Sequence, residues 1–174
     1  MSYTSPHAAV QPHAYDPVTQ PELFAGVLER RVVAFLIDVI AIAVPLALFA
    51  VFIVVFGFMT LGLGFFLFFV YGPISVIWAL LYYGMTLGSP ASATLGMRVM
   101  DLEMRTWYGA PSYFVLGAVH GIVFWVSMFT LSPLILLIGF FNERRRLLHD
   151  ILLGTVVINN AVRAEALRRA RFGR

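Results

Sequence analysis

The sequence contains no cysteine. Disulfides and thiolate metal sites are therefore excluded, while the compartment stays open, because a membrane protein can lack cysteine on either side. Lysine is absent too: all twelve basic residues are arginine. Charge of either sign is scarce, at 12% of residues, against about 25% in ordinary soluble domains. No Gly-x-Ser-x-Gly elbow, His-Glu-x-x-His pair or phosphate loop occurs. The familiar hydrolase, zinc-protease and nucleotide-hydrolysis signatures are thus missing. The expectation is a protein that is not an enzyme and that uses no cofactor and no bound metal. No basic n-region followed by a short apolar core opens the sequence, so the first apolar segment is expected to be kept as an anchor.

What is present is apolar surface. The 174 residues are 60% hydrophobic, with a mean hydropathy of +0.87. A water-soluble fold would expose too much of it, and the length suits one membrane domain with short tails. The fold class expected is all-α: a polytopic integral membrane protein with three to four hydrophobic segments, the last one or two short, broken or re-entrant. Residues 1–21 read as a disordered polar tail, in which His7 and His13 are unremarkable. Residues 161–174 read as a basic tail that permits an amphipathic surface helix.

Between the tails the segments follow from apolar runs. Glu22 to Arg30 is an interfacial lead-in, and segment one spans about Arg31–Phe56 with Pro45 inside it. An uncharged connection, Gly57 to Gly64, leads to segment two at about Leu61–Tyr83, with Gly72-Pro73 as an internal break and Trp78, Tyr82 and Tyr83 as an interfacial aromatic belt. Met85 to Pro111 is the longest polar interval, in which Met97–Met104 permits a short strand or an interfacial helix. Ser112 to Phe141 is apolar again, interrupted by Ser132-Pro133. Leu147 to Ile158 is too short to span and suits a shallow or re-entrant element.

The arginines fall in the N-terminal flank, the 85–110 interval and beyond residue 141. Placing all three on the cytoplasmic side satisfies the positive-inside rule and makes residues 112–141 a hairpin. The alternative is one crossing there, with the N-terminus outside. Both place the C-terminus in the cytoplasm, and the bacterial inner membrane is the expected location.

Arg31 stands at the mouth of segment one and Asp38 inside it. Seven residues is close to two helical turns, so both lie near one face, roughly 10 Å apart along the axis. A carboxylate at that depth costs about 2.5–3.5 kcal/mol on insertion scales, so it is expected to face protein or water. Asp150 is expected to dock on Arg31, leaving Asp38 to a polar pocket made by His120, Thr94 or Thr155.

Three motifs in order resemble the RDD family, named for one Arg and two Asp. They are Arg31, Ala34 and Asp38; Thr94-Leu95-Gly96-Met97-Arg98; and Leu148-His149-Asp150 followed by Gly154-Thr155-Val156-Val157. Together they cover roughly residues 24–158, within a domain expected over 22–160. Met97 stands where a lysine is usual, and His120 falls where an arginine is often found. The resemblance implies a multi-pass membrane protein with transport of unknown ligands as the usual suggestion.

Two function classes stay open. In the first, the chain is a small transporter or channel component for H⁺ or a monovalent cation, with Arg31, Asp38 and Asp150 as the site and Thr94, Gly96, Arg98, His120, His149 and Thr155 in support. It would act as a homo-oligomer, since three or four helices seldom enclose a path alone. In the second, the same charges are a structural network. The chain is then a scaffold or accessory protein that binds a partner or anionic lipid through Arg144, Arg145, Arg146, Arg168, Arg169 and Arg171. Nucleic acid is not an expected partner in either.

Overall fold

The computed structural model describes residues 14–131, 139 and 141–172. Two long helices form its apolar body. Helix α1 (Val27–Met59) starts after Gly26, whose left-handed φ of 68° turns the chain out of a 3₁₀ turn at Pro21–Leu23. It continues through Pro45 without interruption. Its 33 residues give a length of about 50 Å, against a hydrocarbon core of about 30 Å. The helix is therefore longer than one crossing needs, and Arg30 and Arg31 lie in its first two turns. A 3₁₀ turn (Leu63–Leu67) reverses the chain, tied by Thr60 Oγ1, which accepts from Gly64 N at 2.7 Å. Helix α2 (Phe68–Leu87) returns, and Pro73 lies within it rather than breaking it.

Most of this surface is bare. Leu48 is 66% exposed, Phe69 80% and Leu61 98%, which suits contact with lipid and not with a protein core. The buried core gathers instead at one end, where the start of α1 meets the end of α2: Val27, Ala34, Tyr82, Tyr83 and Leu87 pack with Met97, Leu102, Met104 and Val157.

Short elements close that end. Helix α3 (Leu95–Val99) and strand β1 (Leu102–Thr106) come from the polar interval, so Met97–Met104 contains both a helical turn and a strand. Helix α5 (Leu148–Leu152) leads into strand β2 (Thr155–Asn159), and α6 (Ala161–Phe172) follows. The strands pair antiparallel, with Leu102 opposite Asn159, Met104 opposite Val157 and Thr106 opposite Thr155. This ribbon is a small addition to a fold that is otherwise mostly helical, as expected. Its strand pairing joins segments about 50 positions apart in the chain and lies beyond any local periodicity. Leu102 and Met104 alternate with Glu103 and Arg105, the half-buried strand pattern. The side chains of β2 are buried throughout.

Helix α4 (Phe114–Leu131) packs on α2 through small residues: a Cβ on Gly117 would lie 2.7 Å from the Tyr83 carbonyl oxygen. At Gly139 the chain is beside α1, since a Cβ there would lie 2.7 Å from Leu28 Cδ2. The expected bend at Ser132-Pro133 lies outside the described residues, as do His7 and His13.

Candidate functional site

Asp38 and Asp150 are both buried, and each is held by a different set of donors. Asp38 is 5% exposed. Its Oδ1 accepts from the Tyr82 hydroxyl at 2.5 Å and from Gly96 N at 2.8 Å, and its Oδ2 accepts from the Thr94 hydroxyl at 2.6 Å. All three donors are neutral. Thr94 is also the N-cap of α3, its Oγ1 accepting from Met97 N at 3.1 Å. One hydroxyl thus caps the helix and donates to the carboxylate, while Gly96 offers an N–H of the first turn that no intrahelical carbonyl can take. Asp38 seats the start of α3 against α1.

Gly96 permits the approach. A Cβ there would fall inside the carbonyl of Ala34, the middle residue of the first motif. Arg98 completes the second motif, donating through Nε to Ala93 O at 3.1 Å and through Nη2 to Ser89 Oγ at 2.8 Å. It ties the loop before α3 to the helix and does not reach Asp38.

Asp150 is fully buried and pairs with Arg31, Nη1 to Oδ2, at 2.5 Å. Leu147 N also donates to Oδ2 at 3.0 Å, and the Thr155 hydroxyl reaches Oδ1 at 3.4 Å. Burial opposes the charge on Asp150. The Arg31 guanidinium outweighs it and holds the carboxyl well below the usual carboxylate range. The docking expected between Arg31 and Asp150 is therefore found. The pocket expected around Asp38 contains Thr94, but Thr155 belongs to Asp150. His120 packs edge-on against His149 at 4.8 Å between ring centroids.

Both carboxylates line one cavity of about 250 Å³ between α1, α4 and α5, together with Arg31, Thr94, His120 and His149. Glu29 also lines it, and the rest of the wall is mostly apolar, from residues such as Val32, Phe35 and Phe124.

Two sequence readings are corrected here. Tyr82 and Tyr83 are not an interfacial belt: they are 8% and 6% exposed, and Tyr82 is a principal donor to Asp38. Nothing local distinguishes a tyrosine at a helix end from one that reaches a buried carboxylate 44 positions away. Arg146 is not a headgroup contact. It is 7% exposed, donates to Thr155 O and Asp150 O at 2.8 Å each, and stacks its guanidinium 4.4 Å from the Trp107 ring centre. Arg144 lies on the same ring at 5.6 Å. Arg168 and Arg169, with side chains 50% and 80% exposed, lie on the outer surface of α6.

Fold and site together define a small helical membrane protein in which two buried carboxylates, one ion-paired and one held by neutral donors, share a cavity. The RDD family's sequence profile matches residues 25–154, three quarters of the chain, and the chain belongs to this family. No curated protein and no solved structure matches it.

Proposed function

We propose that the chain is a small membrane transport protein in which Asp38 takes up a proton or a monovalent cation from the shared cavity. The observation that carries this reading is a buried carboxylate on a cavity wall with three neutral donors. Such a group has its hydrogen bonds supplied while its net charge stays open to a small cation. Asp150, by contrast, has its charge met by Arg31. The cytoplasmic placement of the arginine-bearing end is supported by its assembly: Arg30 reaches Met100 O, Arg31 reaches Asp150, and Arg168 reaches Glu22. The return of Gly139 to Leu28 supports a hairpin over 112–141. A homo-oligomer in the bacterial inner membrane, with no enzymatic activity, completes the proposal.

A second reading, an accessory protein held on anionic lipid, is favoured by the exposed arginines of α6. Proteoliposome flux separates the two. Wild type is expected to dissipate an H⁺, Na⁺ or K⁺ gradient, and a folded Asp38→Asn variant is expected to lose at least tenfold of that rate. Flux in neither protein across all three gradients transfers the weight to the accessory reading.

A further inference from the structure

We propose that His120, His149 and Asp150 form a binding site for a divalent transition metal of the Zn²⁺ type. The proposal goes beyond the role given to Asp38 and does not rest on it. One ligand atom from each of the three residues lies within 4.8 Å of the others. The two imidazoles are 9% and 3% exposed, and the Nδ1 atom of each is buried without a hydrogen-bond partner among the described residues. Both histidines line the cavity, their rings meet at 4.8 Å between centroids, and a buried ring nitrogen left unpaired calls for a partner. A neutral imidazole supplies a lone pair that a cation takes directly.

Asp150 is prepared for the same task. Its Oδ2 is occupied by Arg31 and Leu147 N, which fix the carboxylate. Among the described residues its Oδ1 is met only at 3.4 Å by the Thr155 hydroxyl and at 3.7 Å by His149 Nε2. That oxygen is the one turned toward His149. Arg31 then acts behind the ligand, orienting it as outer-shell donors do in metal sites. The guanidinium is the charge that opposes a cation here. Even with Asp38 left out, the cavity lining sets two carboxylates, Glu29 and Asp150, against it, so a cation is favoured overall.

Two histidines and one carboxylate suit Zn²⁺, which binds imidazole at about 2.0–2.1 Å and carboxylate at about 2.0–2.2 Å with water completing the shell. Ligand atoms of such a site stand about 3.3 Å apart, so the most widely separated pair closes by up to about 1.5 Å when the metal enters. The site joins α4, which carries His120, to α5, which carries the other two. Sequence reasoning gave no metal, because the histidines lie 29 positions apart and form no local ligand motif.

The test uses the full chain in detergent, purified through a tag free of histidine. Co²⁺ is titrated in, its visible absorption reporting the ligands, and Zn²⁺ then competes. One Co²⁺ per chain, displaced by Zn²⁺, is expected. His120→Gln and His149→Gln, each verified by gel filtration, should weaken binding at least tenfold. Asp38→Asn and the double variant His7→Gln/His13→Gln should keep it. X-ray absorption of the wild-type Zn²⁺ complex needs no variant and should report two imidazoles. The proposal is overturned by no saturable binding, by loss of binding in the His7/His13 or Asp38 variants instead, or by fewer than two imidazoles on the metal.

Discussion

The N–H of Gly96 donates to the carboxylate of Asp38 at 2.8 Å, and this contact exists because α3 stands directly on the backbone of α1 one turn earlier, at Ala34. The two motifs are therefore two halves of one junction. Gly96→Ala would drive a Cβ into the Ala34 carbonyl, where neither backbone can step aside. We expect a loss of about 1–3 kcal/mol, the range for overpacking. The check is the midpoint of thermal unfolding in detergent, and an unchanged midpoint would refute the close approach.

The Asp38 donors are expected to differ in weight. Tyr82→Phe removes one hydrogen bond to a carboxylate, worth about 1.5–3 kcal/mol. Thr94→Val removes another and also the cap of α3, which adds about 1 kcal/mol. Denaturation of the two variants side by side should rank Thr94→Val as the more damaging. The opposite order would mean that the cap contributes nothing.

The Arg31–Asp150 pair is buried at both ends, with side chains 10% and 0% exposed. Arg31→Met alone leaves a buried carboxylate without its counter-charge and is expected to cost about 3–5 kcal/mol. Asp150→Asn alone strands the guanidinium. The double variant should be less damaging than the sum of the two, because no lone charge is left. Strict additivity in a double-mutant cycle would show that the pair is not coupled.

Arg168 holds Glu22 through Nη2 at 2.7 Å, and this pair fastens α6 to the lead-in of α1. The hydrogen bond from Arg168 lowers the Glu22 pKa. A depressed carboxylate stabilises the docked form above its ordinary pKa of about 4.3, and that contribution is lost as pH falls through the lower folded value. A spin label at Ala170→Cys should therefore gain mobility below about pH 4.3 and already be mobile at neutral pH in Glu22→Gln. A label equally immobile in both proteins would show that other contacts dock α6.

The absence of cysteine allows topology to be read from single labels. Thr60 is a poor position, because its hydroxyl ties the turn after α1. Met59, 78% exposed, is a better one. Met59→Cys and Ala170→Cys are expected to react with impermeant reagents from opposite sides of the membrane. Labelling of both from one side would contradict the hairpin of α1 and α2.

The long apolar segments were legible because hydrophobic run length is a local property. The apolar run puts segment one at about Arg31–Phe56, and α1 spans Val27–Met59. Pro45 and Pro73 gave less guidance, since helices continue through both. The motif residues were legible as a set, and the pairing of Arg31 with Asp150 followed from depth: a short element can approach only the outer turns of α1. Tyr82 and Arg146 are buried, against their local sequence, for one reason. Each looks like a surface residue by its neighbours in sequence and is buried by a partner far along the chain.

Composition, run length and motif order are enough for the membrane class, the two long helices and the family. Tertiary structure decided which donor meets which carboxylate, that β1 and β2 form a ribbon, and that His120 comes to rest against His149. Those choices depend on contacts between segments tens of positions apart. Hydrogen-bond partners are selected there by geometry and burial, which local patterns do not encode.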